Sequence, residues 1–209
     1  MAIFRPRSAT AWIVVVTTLV SGLAILFAHE SAMVSAGFIA ARVSGLVDIS
    51  PAVPALLTPF SSALLHGSWL HLILNMVMLV IAGQQVERVV GASGLIAAYV
   101  VGAAAAAAAQ YAADPASVVP MVGASGAISA LFGLFAIFFG QPRQFTRNQK
   151  VNRWIHVAWL LAAWIVIQLM AEMLAGGQGV MLATPAHIGG FVAGLLLHRP
   201  LLLWRYRGA

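Results

Sequence analysis

Six apolar runs, each close to the length that a membrane-spanning helix needs, constrain this chain more than any other feature. A helix crosses the hydrocarbon core of a bilayer with about 20 apolar residues. Charged residues make up only 8% of the sequence and hydrophobic residues 62%, whereas about a quarter of a soluble domain is charged. The sequence therefore predicts an all-α, polytopic membrane protein with one domain over residues 1–209. The six predicted spans are about 11–28, 64–83, 94–113, 121–140, 154–175 and 184–204.

The first and third spans each need a comment. The first follows Arg5 and Arg7, as the apolar region of a secretory signal would. Its apolar run is long for a signal peptide and FAHES is a poor cleavage site, so we expect the span to be retained. The third contains seven consecutive alanines at 103–109. Because alanine is only weakly apolar, we expect this span to pack tightly among other helices.

The basic residues indicate how the spans are oriented. With the N-terminus placed inside, ten of the 11 Lys and Arg residues fall in cytoplasmic segments, and only Arg42 falls outside. This positive-inside pattern predicts a multi-pass protein of the cell membrane with both termini cytoplasmic. The net charge of +6 follows from the same pattern, and nucleic acid is not an expected partner. The ten cytoplasmic residues are Arg5, Arg7, Arg88, Arg143, Arg147, Lys150, Arg153, Arg199, Arg205 and Arg207.

One long connection separates the first two spans, from about 29 to 63. It combines Pro51, Pro54 and Pro59 with apolar residues such as Leu56 and Phe60. That mixture predicts a structured segment lying in the outer membrane interface, not a solvated linker.

The second span contains the segment HGSWLHLILN, residues 66–75. His71 and Asn75 are four residues apart and therefore share one face of a helix, whereas His66 points elsewhere, near the start of the helix. Polar side chains inside a membrane are costly and usually face the bundle interior or a cavity. One interpretation is a hydrogen bond between helices. The other is a pair of donors aimed at a developing negative charge.

Small residues repeat at helical spacing in the fourth and sixth spans. Each stripe alone favours simple helix packing. If the two stripes face each other, Ser125 and His187 meet, because both lie near the outer ends of spans that run in the same direction. The stripes consist of Ser125, Ser129 and Gly133 in the fourth span and of His187, Gly190 and Gly194 in the sixth.

The tetrapeptide GASG occurs twice, around Ser93 and around Ser125. Ser93 follows the charged cytoplasmic end of the second span, so a good part of the ~30 Å hydrocarbon core separates it from His187. Ser125 is therefore the candidate nucleophile, with the neutral imidazole of His187 as its base. No carboxylate is expected at this depth, so the pair would be a dyad. His71, Asn75 and the backbone N–H of Ser125 are candidate donors for an oxyanion.

The motifs HGSWLHLILN, GASGAISALFG and AHIGGFVAG, on spans two, four and six, resemble those of the rhomboid intramembrane serine proteases. The resemblance implies a six-helix bundle that cuts single-pass transmembrane proteins within or near the membrane, on its outer side. It implies Ser125 as nucleophile, His187 as general base, and His71 and Asn75 at the oxyanion site. The glycines that would flank the nucleophile or let helices approach are Gly123, Gly126, Gly190 and Gly194.

The chain departs from the family pattern at two places. Some members carry a tyrosine four residues after the nucleophile, stacked on the catalytic histidine, and here that position is Ser129. Some members also carry a Trp-Arg pair in the long first connection, which residues 29–63 lack. The resemblance further implies substrate access past helix five, beneath a mobile cap. Gly176, Gly177 and Gly179 suit such a cap, and an ordinary connector is the alternative.

Three other functions are alternatives to a serine protease. A catalytically silent relative would bind transmembrane segments without cutting them, but such proteins lose the serine or the histidine. A small transporter needs a polar path, yet the spans become apolar below Asn75 and Ser129. A metalloprotease would need a His-Glu-x-x-His motif, which is absent. We therefore expect no cofactor and no metal, with transmembrane substrates and the lipid bilayer as partners.

Overall fold

The computed structural model describes residues 8–140, 144–174 and 183–208, and these residues form helices with short connections and no strand. Arg5, Arg7 and Arg143 of the charge argument, and the glycines of 176–179, lie outside the described residues. Two 3-10 turns, Ala55–Leu57 and Ser62–Leu64, flank α4. The α-helices are α1 (Ala9–Phe27), α2 (His29–Ala36), α3 (Ala40–Val43), α4 (Thr58–Ser61), α5 (Trp69–Ala113), α6 (Ser125–Phe139), α7 (Gln149–Leu174) and α8 (Thr184–Arg205).

Helix α5 carries two of the predicted spans in one run of 45 residues. Gly91 interrupts it with a φ of 76° and a ψ of 172°, a backbone conformation that glycine adopts without steric penalty. The chain reverses there, because His71 near the start of α5 and Ala106 near its end both lie against the segment that opens α6. We call residues 69–90 the first arm of α5 and residues 92–113 the second arm.

The six predicted spans correspond to α1, the two arms of α5, α6, α7 and α8. The second and third spans, predicted at about 64–83 and 94–113, extend toward each other in the structure, because the first arm continues to Gly91 and that single residue makes the turn. The first arm also begins later than predicted, since Ser68 caps it by accepting the N–H of His71 at 3.2 Å. Within residues 8–140, 144–174 and 183–208, four helices (α1, α5, α7 and α8) are long and apolar enough to cross a membrane, and α6 is shorter, with 15 residues.

Helices α6 and α8 touch backbone to backbone, as the two small-residue stripes predict. A methyl group added at Gly190 would meet the carbonyl oxygen of Gly126, and one added at Gly194 would meet that of Ala130. From the other side, a methyl group at Gly133 would meet the carbonyl oxygen of Phe191. Only glycine allows two helices to approach this closely. The stripes therefore fix the spacing of the two helices that carry Ser125 and His187.

The alanine-rich second arm packs against the same two helices. An added methyl group at Gly126 would lie 2.5 Å from Cβ of Ala106, and one at Gly189 would collide with Cβ of Ala109. Ala103, Ala106 and other residues of this arm are buried. The expectation that the weakly apolar third span packs tightly among other helices is confirmed.

Glu87, near the Gly91 end of the first arm, caps the start of α1. Its carboxylate accepts hydrogen bonds from the hydroxyl groups of Ser8 at 2.7 Å and Thr10 at 2.6 Å. It also accepts the backbone N–H groups of Ala9 at 2.8 Å and Thr10 at 3.0 Å. A carboxylate at a helix N-terminus satisfies unpaired N–H groups and complements the helix dipole. The contact joins α1 to α5.

The long connection between α1 and α5 is structured, as predicted, and it supports the segment before α6. Phe38 and Met121 exchange backbone hydrogen bonds of 3.0 and 2.8 Å. Leu46 and Leu56 on this connection are exposed. Their exposure is consistent with the predicted place at a membrane interface.

Helix α7 lies at the edge of the bundle. Of the four helices long enough to span, it is the least buried, with 17% of its apolar stretch inside the protein. Trp159 and Met170 are exposed on it, whereas Trp164 and Gln168 are buried. Since residues 164 and 168 share a helix face, this face is the one that α7 turns toward the bundle.

Candidate active site

Ser125 is the first residue of α6, and the chain reaches it through an extended turn. Gly123 has a φ of +124°, a left-handed value that favours glycine. Its N–H donates to the carbonyl oxygen of Ser62 at 3.0 Å. The turn ends the extended segment, so α6 starts at Ser125 and not at 121 as predicted. The hydroxyl of Ser125 is thereby placed at a helix N-terminus, where backbone N–H groups lack partners within the helix.

The side chain of His66 is hydrogen-bonded to this turn. Its Nε2 accepts the N–H of Ala124 at 3.3 Å, and its Nδ1 lies 3.1 Å from the hydroxyl of Ser21 on α1. Because Nε2 acts as an acceptor, the ring is neutral and carries its proton on Nδ1. The prediction that His66 points away from His71 is wrong, because the extended chain before the N-cap Ser68 brings the two rings together, with centroids 4.9 Å apart. His66 also connects α1 to the residue before Ser125.

Ser125 and His187 form a buried hydrogen-bonded pair. The hydroxyl oxygen of Ser125 lies 2.9 Å from Nε2 of His187, and the two residues are 7% and 2% exposed. His187 occupies the first turn of α8, next to the first turn of α6, because the glycine contacts bring these helix ends together. Among the described residues, no carboxylate contacts His187. With Nε2 as acceptor, the imidazole is in the form that can take the serine proton.

His71 and Asn75 lie on the side of the first arm that faces this pair. A methyl group at Gly123 would lie 3.0 Å from Cε1 and Nε2 of the His71 ring, so the imidazole packs directly on the turn before Ser125. The rings of His66 and His71 also meet edge to face, with centroids 4.9 Å apart. The amide of Asn75 is buried and donates to the carbonyl oxygen of His71 at 3.0 Å. This leaves one N–H of the amide for another acceptor.

The space beside Ser125 is small. A cavity of about 20 Å³ adjoins it, lined by residues that include Ser62, Gly123 and Ala186. That volume is enough for one water molecule and far too small for a peptide.

The second GASG serine lies at the opposite end of the bundle. Ser93 is exposed and two residues from Gly91, and an added methyl at Gly91 would lie 3.3 Å from the guanidinium of Arg205. Arg205 ends α8, whereas His187 stands in its first turn. At 1.5 Å per residue the two are about 27 Å apart along the helix. The structure thus brings Ser125, and not Ser93, to the histidine.

Two residues of α7 at the site were not predicted from the sequence: one contacts His187 and the other contacts Ser129. The amide nitrogen of Gln168 lies 3.4 Å from Nε2 of His187. The indole N–H of Trp164 donates to the hydroxyl of Ser129 at 2.6 Å. The signal that could have found Gln168 is an amide inside an apolar span, which is costly without a function or a partner.

Within the part of the chain that the structure describes, apolar helices surround a buried serine–histidine pair, and together they define a polytopic helical membrane protein. Residues 54–204 match the family model described as the rhomboid domain, and the chain therefore belongs to the rhomboid family.

Two curated relatives are similar to the chain. Rhomboid-like protease 5 of Toxoplasma gondii is 30% identical over 137 residues, covering 63% of this chain and 14% of that protein. RHOMBOID-like protein 5 of Arabidopsis thaliana is 31% identical over 140 residues, covering 66% of this chain and 42% of that protein. The chain spans less than half of the length of either relative.

Proposed function

We propose that the protein is an intramembrane serine endopeptidase that cleaves single-pass transmembrane proteins by a Ser125–His187 dyad. The observation that carries the proposal is the buried 2.9 Å contact between the serine hydroxyl and Nε2 of the histidine. A serine is a weak nucleophile until a base takes its proton, and a neutral imidazole at this distance can do so. Membership of the rhomboid family supports the same assignment.

The reaction has two steps. In the first, the hydroxyl oxygen of Ser125 attacks the peptide carbonyl carbon while His187 takes the hydroxyl proton. When the tetrahedral intermediate collapses, the peptide C–N bond breaks and His187 gives its proton to the leaving amine. In the second step, water attacks the acyl-enzyme with the same histidine as base, and the carboxylic acid product leaves Ser125 free.

The negative oxygen of the tetrahedral intermediate needs donors already in place. The backbone N–H of Ser125 is suitable because it stands at the start of a helix, where the dipole also favours negative charge. The amide of Asn75 and the ring of His71 are the side-chain candidates, since His71 packs against the turn that leads to Ser125. Gly123 makes room for the oxyanion at that turn.

The length of α6 supports a cut within or near the outer half of the membrane. Its 15 residues rise about 22 Å, which is less than the ~30 Å hydrocarbon core. Ser125 begins this helix, while Arg88, Lys150, Arg153, Arg199 and Arg205 cluster toward the opposite ends of the helices. By the positive-inside rule those ends are cytoplasmic, so the site faces the outer side of the cell membrane.

The test combines active-site labelling with cleavage. The purified protein in detergent is expected to react with a fluorophosphonate at Ser125 and to cleave a single-pass transmembrane reporter. Ser125→Ala and His187→Ala are each expected to abolish both signals, because either change removes one half of the proton transfer. Mass spectrometry of the labelled peptide identifies the residue.

Ser93→Ala provides the matched control, since it removes the serine of the other GASG at an exposed position. It is expected to leave both signals intact. Cleavage that persists in Ser125→Ala would disprove the mechanism. A folded wild-type protein that neither reacts nor cleaves would instead indicate a catalytically silent relative that only binds transmembrane segments.

A further inference from the structure

Helix α7 contacts His187 directly and Ser125 through Ser129. Trp164 and Gln168, one turn apart on the buried face of this helix, reach the serine side and the histidine side respectively. The apolar stretch of α7 is the least buried of the four long helices. Two of its buried polar contacts thus lie where the candidate chemistry takes place.

The contact on the serine side is a chain of two hydrogen bonds. The indole N–H of Trp164 donates to the hydroxyl of Ser129 at 2.6 Å, and that hydroxyl donates to the carbonyl oxygen of Ser125 at 2.7 Å. Trp164 is 1% exposed and stacks on Phe132 of α6, with ring centroids 4.3 Å apart. A hydroxyl group that accepts one hydrogen bond donates another more strongly. The indole N–H therefore strengthens the hydrogen bond from the Ser129 hydroxyl to the carbonyl oxygen of Ser125, in the first turn of α6.

The contact on the histidine side involves the amide of Gln168. It is 5% exposed and lies 3.4 Å from Nε2 of His187, the same atom that faces Ser125. A buried amide without a partner is costly in an apolar surrounding, so the contact accounts for a glutamine at this depth. An amide carries both a donor and an acceptor. Nε2 of the neutral ring has one lone pair, so the amide N–H shares it with the Ser125 hydroxyl, and the longer distance makes the amide the weaker donor. After rotation, the amide oxygen can accept from Nε2–H once the serine proton has been transferred.

We propose that Gln168 is a positioning residue for His187 and that Trp164, acting through Ser129, is a positioning residue for Ser125. In this chain position 129 is a serine and cannot stack on the histidine as an aromatic ring would. Instead, two side chains of α7, Trp164 and Gln168, fix the positions of Ser125 and His187. The consequence is that the reactive geometry exists only while α7 is docked against α6 and α8. The inference rests on the proposed function.

The first experiment measures Gln168. Gln168→Met keeps the length of the side chain and removes its hydrogen bonds. We expect the rate constant of fluorophosphonate labelling and kcat for the reporter to fall about three- to tenfold, the range for one lost hydrogen bond, with KM unchanged. Gln168→Glu keeps the length of the side chain, removes the amide donor and places an acceptor beside Nε2, which favours the ring tautomer that cannot take the serine proton. It is expected to lower kcat at least as far as Gln168→Met. A side chain that merely fills space would leave kcat at the wild-type value in both variants.

The controls separate this inference from the proposed function. Gln149→Met makes the same substitution at an exposed position of α7 and is expected to label at the wild-type rate. If the wild-type protein itself does not label, the proposed function fails. If it labels and Gln168→Met labels equally fast, the positioning role is overturned. Should Gln168→Met unfold the protein, Gln168→Glu decides: wild-type KM with lowered kcat supports the role, and a wild-type kcat overturns it.

The second experiment measures the Trp164 chain by a double-mutant cycle. Trp164→Phe keeps the stacking on Phe132 and removes the indole N–H, and Ser129→Ala removes the hydroxyl that receives it. Each is expected to slow labelling about threefold, and the double variant no further than either single one, because both break one chain. Trp159→Phe, at an exposed position of the same helix, is the control. Additive effects would overturn the coupling.

Discussion

At the residue scale, Ser93 and Ser125 stand in identical tetrapeptides but in different surroundings. Ser93 is exposed next to the reversal at Gly91, whereas Ser125 opens α6 and touches an imidazole. The tetrapeptide supplies small residues in both places, and only the partner differs. The reactivity that we propose for Ser125 is therefore a property of His187 and of the turn that begins at Gly123.

Asn75 carries a prediction at this scale. Asn75→Ala removes a candidate donor to the oxyanion, and preorganised donors of this kind are worth several kcal/mol in a transition state. We expect kcat for reporter cleavage to fall about tenfold or more while KM changes little, because the donor acts on charge that appears only during the reaction. Steady-state kinetics in detergent gives both constants.

Gln149→Ala is the control, because Gln149 is an exposed amide at the start of α7 and loses its amide group in the same way. It is expected to keep wild-type kinetics. A rise in KM with kcat unchanged in Asn75→Ala would show that Asn75 binds substrate uniformly and does not act on the transition state.

At the element scale, glycines decide how closely α6 and α8 approach. At Gly194, it is informative whether substitution by alanine raises or lowers the stability of the protein. Alanine is better than glycine in a helix by about 1 kcal/mol, yet an added methyl at this position would meet the carbonyl oxygen of Ala130. Packing and propensity therefore point in opposite directions.

We expect Gly194→Ala to lower the midpoint of thermal unfolding in detergent by several degrees, because overpacking costs about 1–3 kcal/mol and outweighs the gain in propensity. Labelling of Ser125 should slow in parallel, since its distance to His187 depends on the same contact. Gly67→Ala is the control: nothing lies within 4 Å of an added methyl there. A midpoint that rises in Gly194→Ala would contradict the close helix contact.

At the scale of the whole molecule, the charge pattern predicts which end of the bundle faces outward. The loop between α5 and α6 and the start of α8 lie at the Ser125 end, and the end of α8 lies at the other. The chain has no cysteine, so single cysteines report position without background.

We expect a membrane-impermeant maleimide added to intact cells to label Ala116→Cys and not Gly208→Cys, both of which are exposed positions. The positive-inside distribution is the physical reason. Permeabilisation should expose the second position as the control for reactivity. Labelling of Gly208→Cys alone in intact cells would reverse the orientation and place the candidate site inside.

Hydropathy and charge, which are local properties of a sequence, determined the class of protein, the approximate spans and the expected orientation. The stripes of small residues went further, because a glycine every fourth residue specifies which face of a helix can approach another. The contact of Ser125 with His187 followed from those stripes and the matching depths of the two residues.

Only the tertiary structure decided the remainder. The reversal at Gly91, the capping of α1 by Glu87 and the link from His66 to the turn before Ser125 join residues far apart in the chain. Gln168 is 19 residues from His187 and belongs to no motif. Whether such side chains meet depends on how far each helix is rotated about its axis and how deep it sits, and packing of the complete bundle sets both.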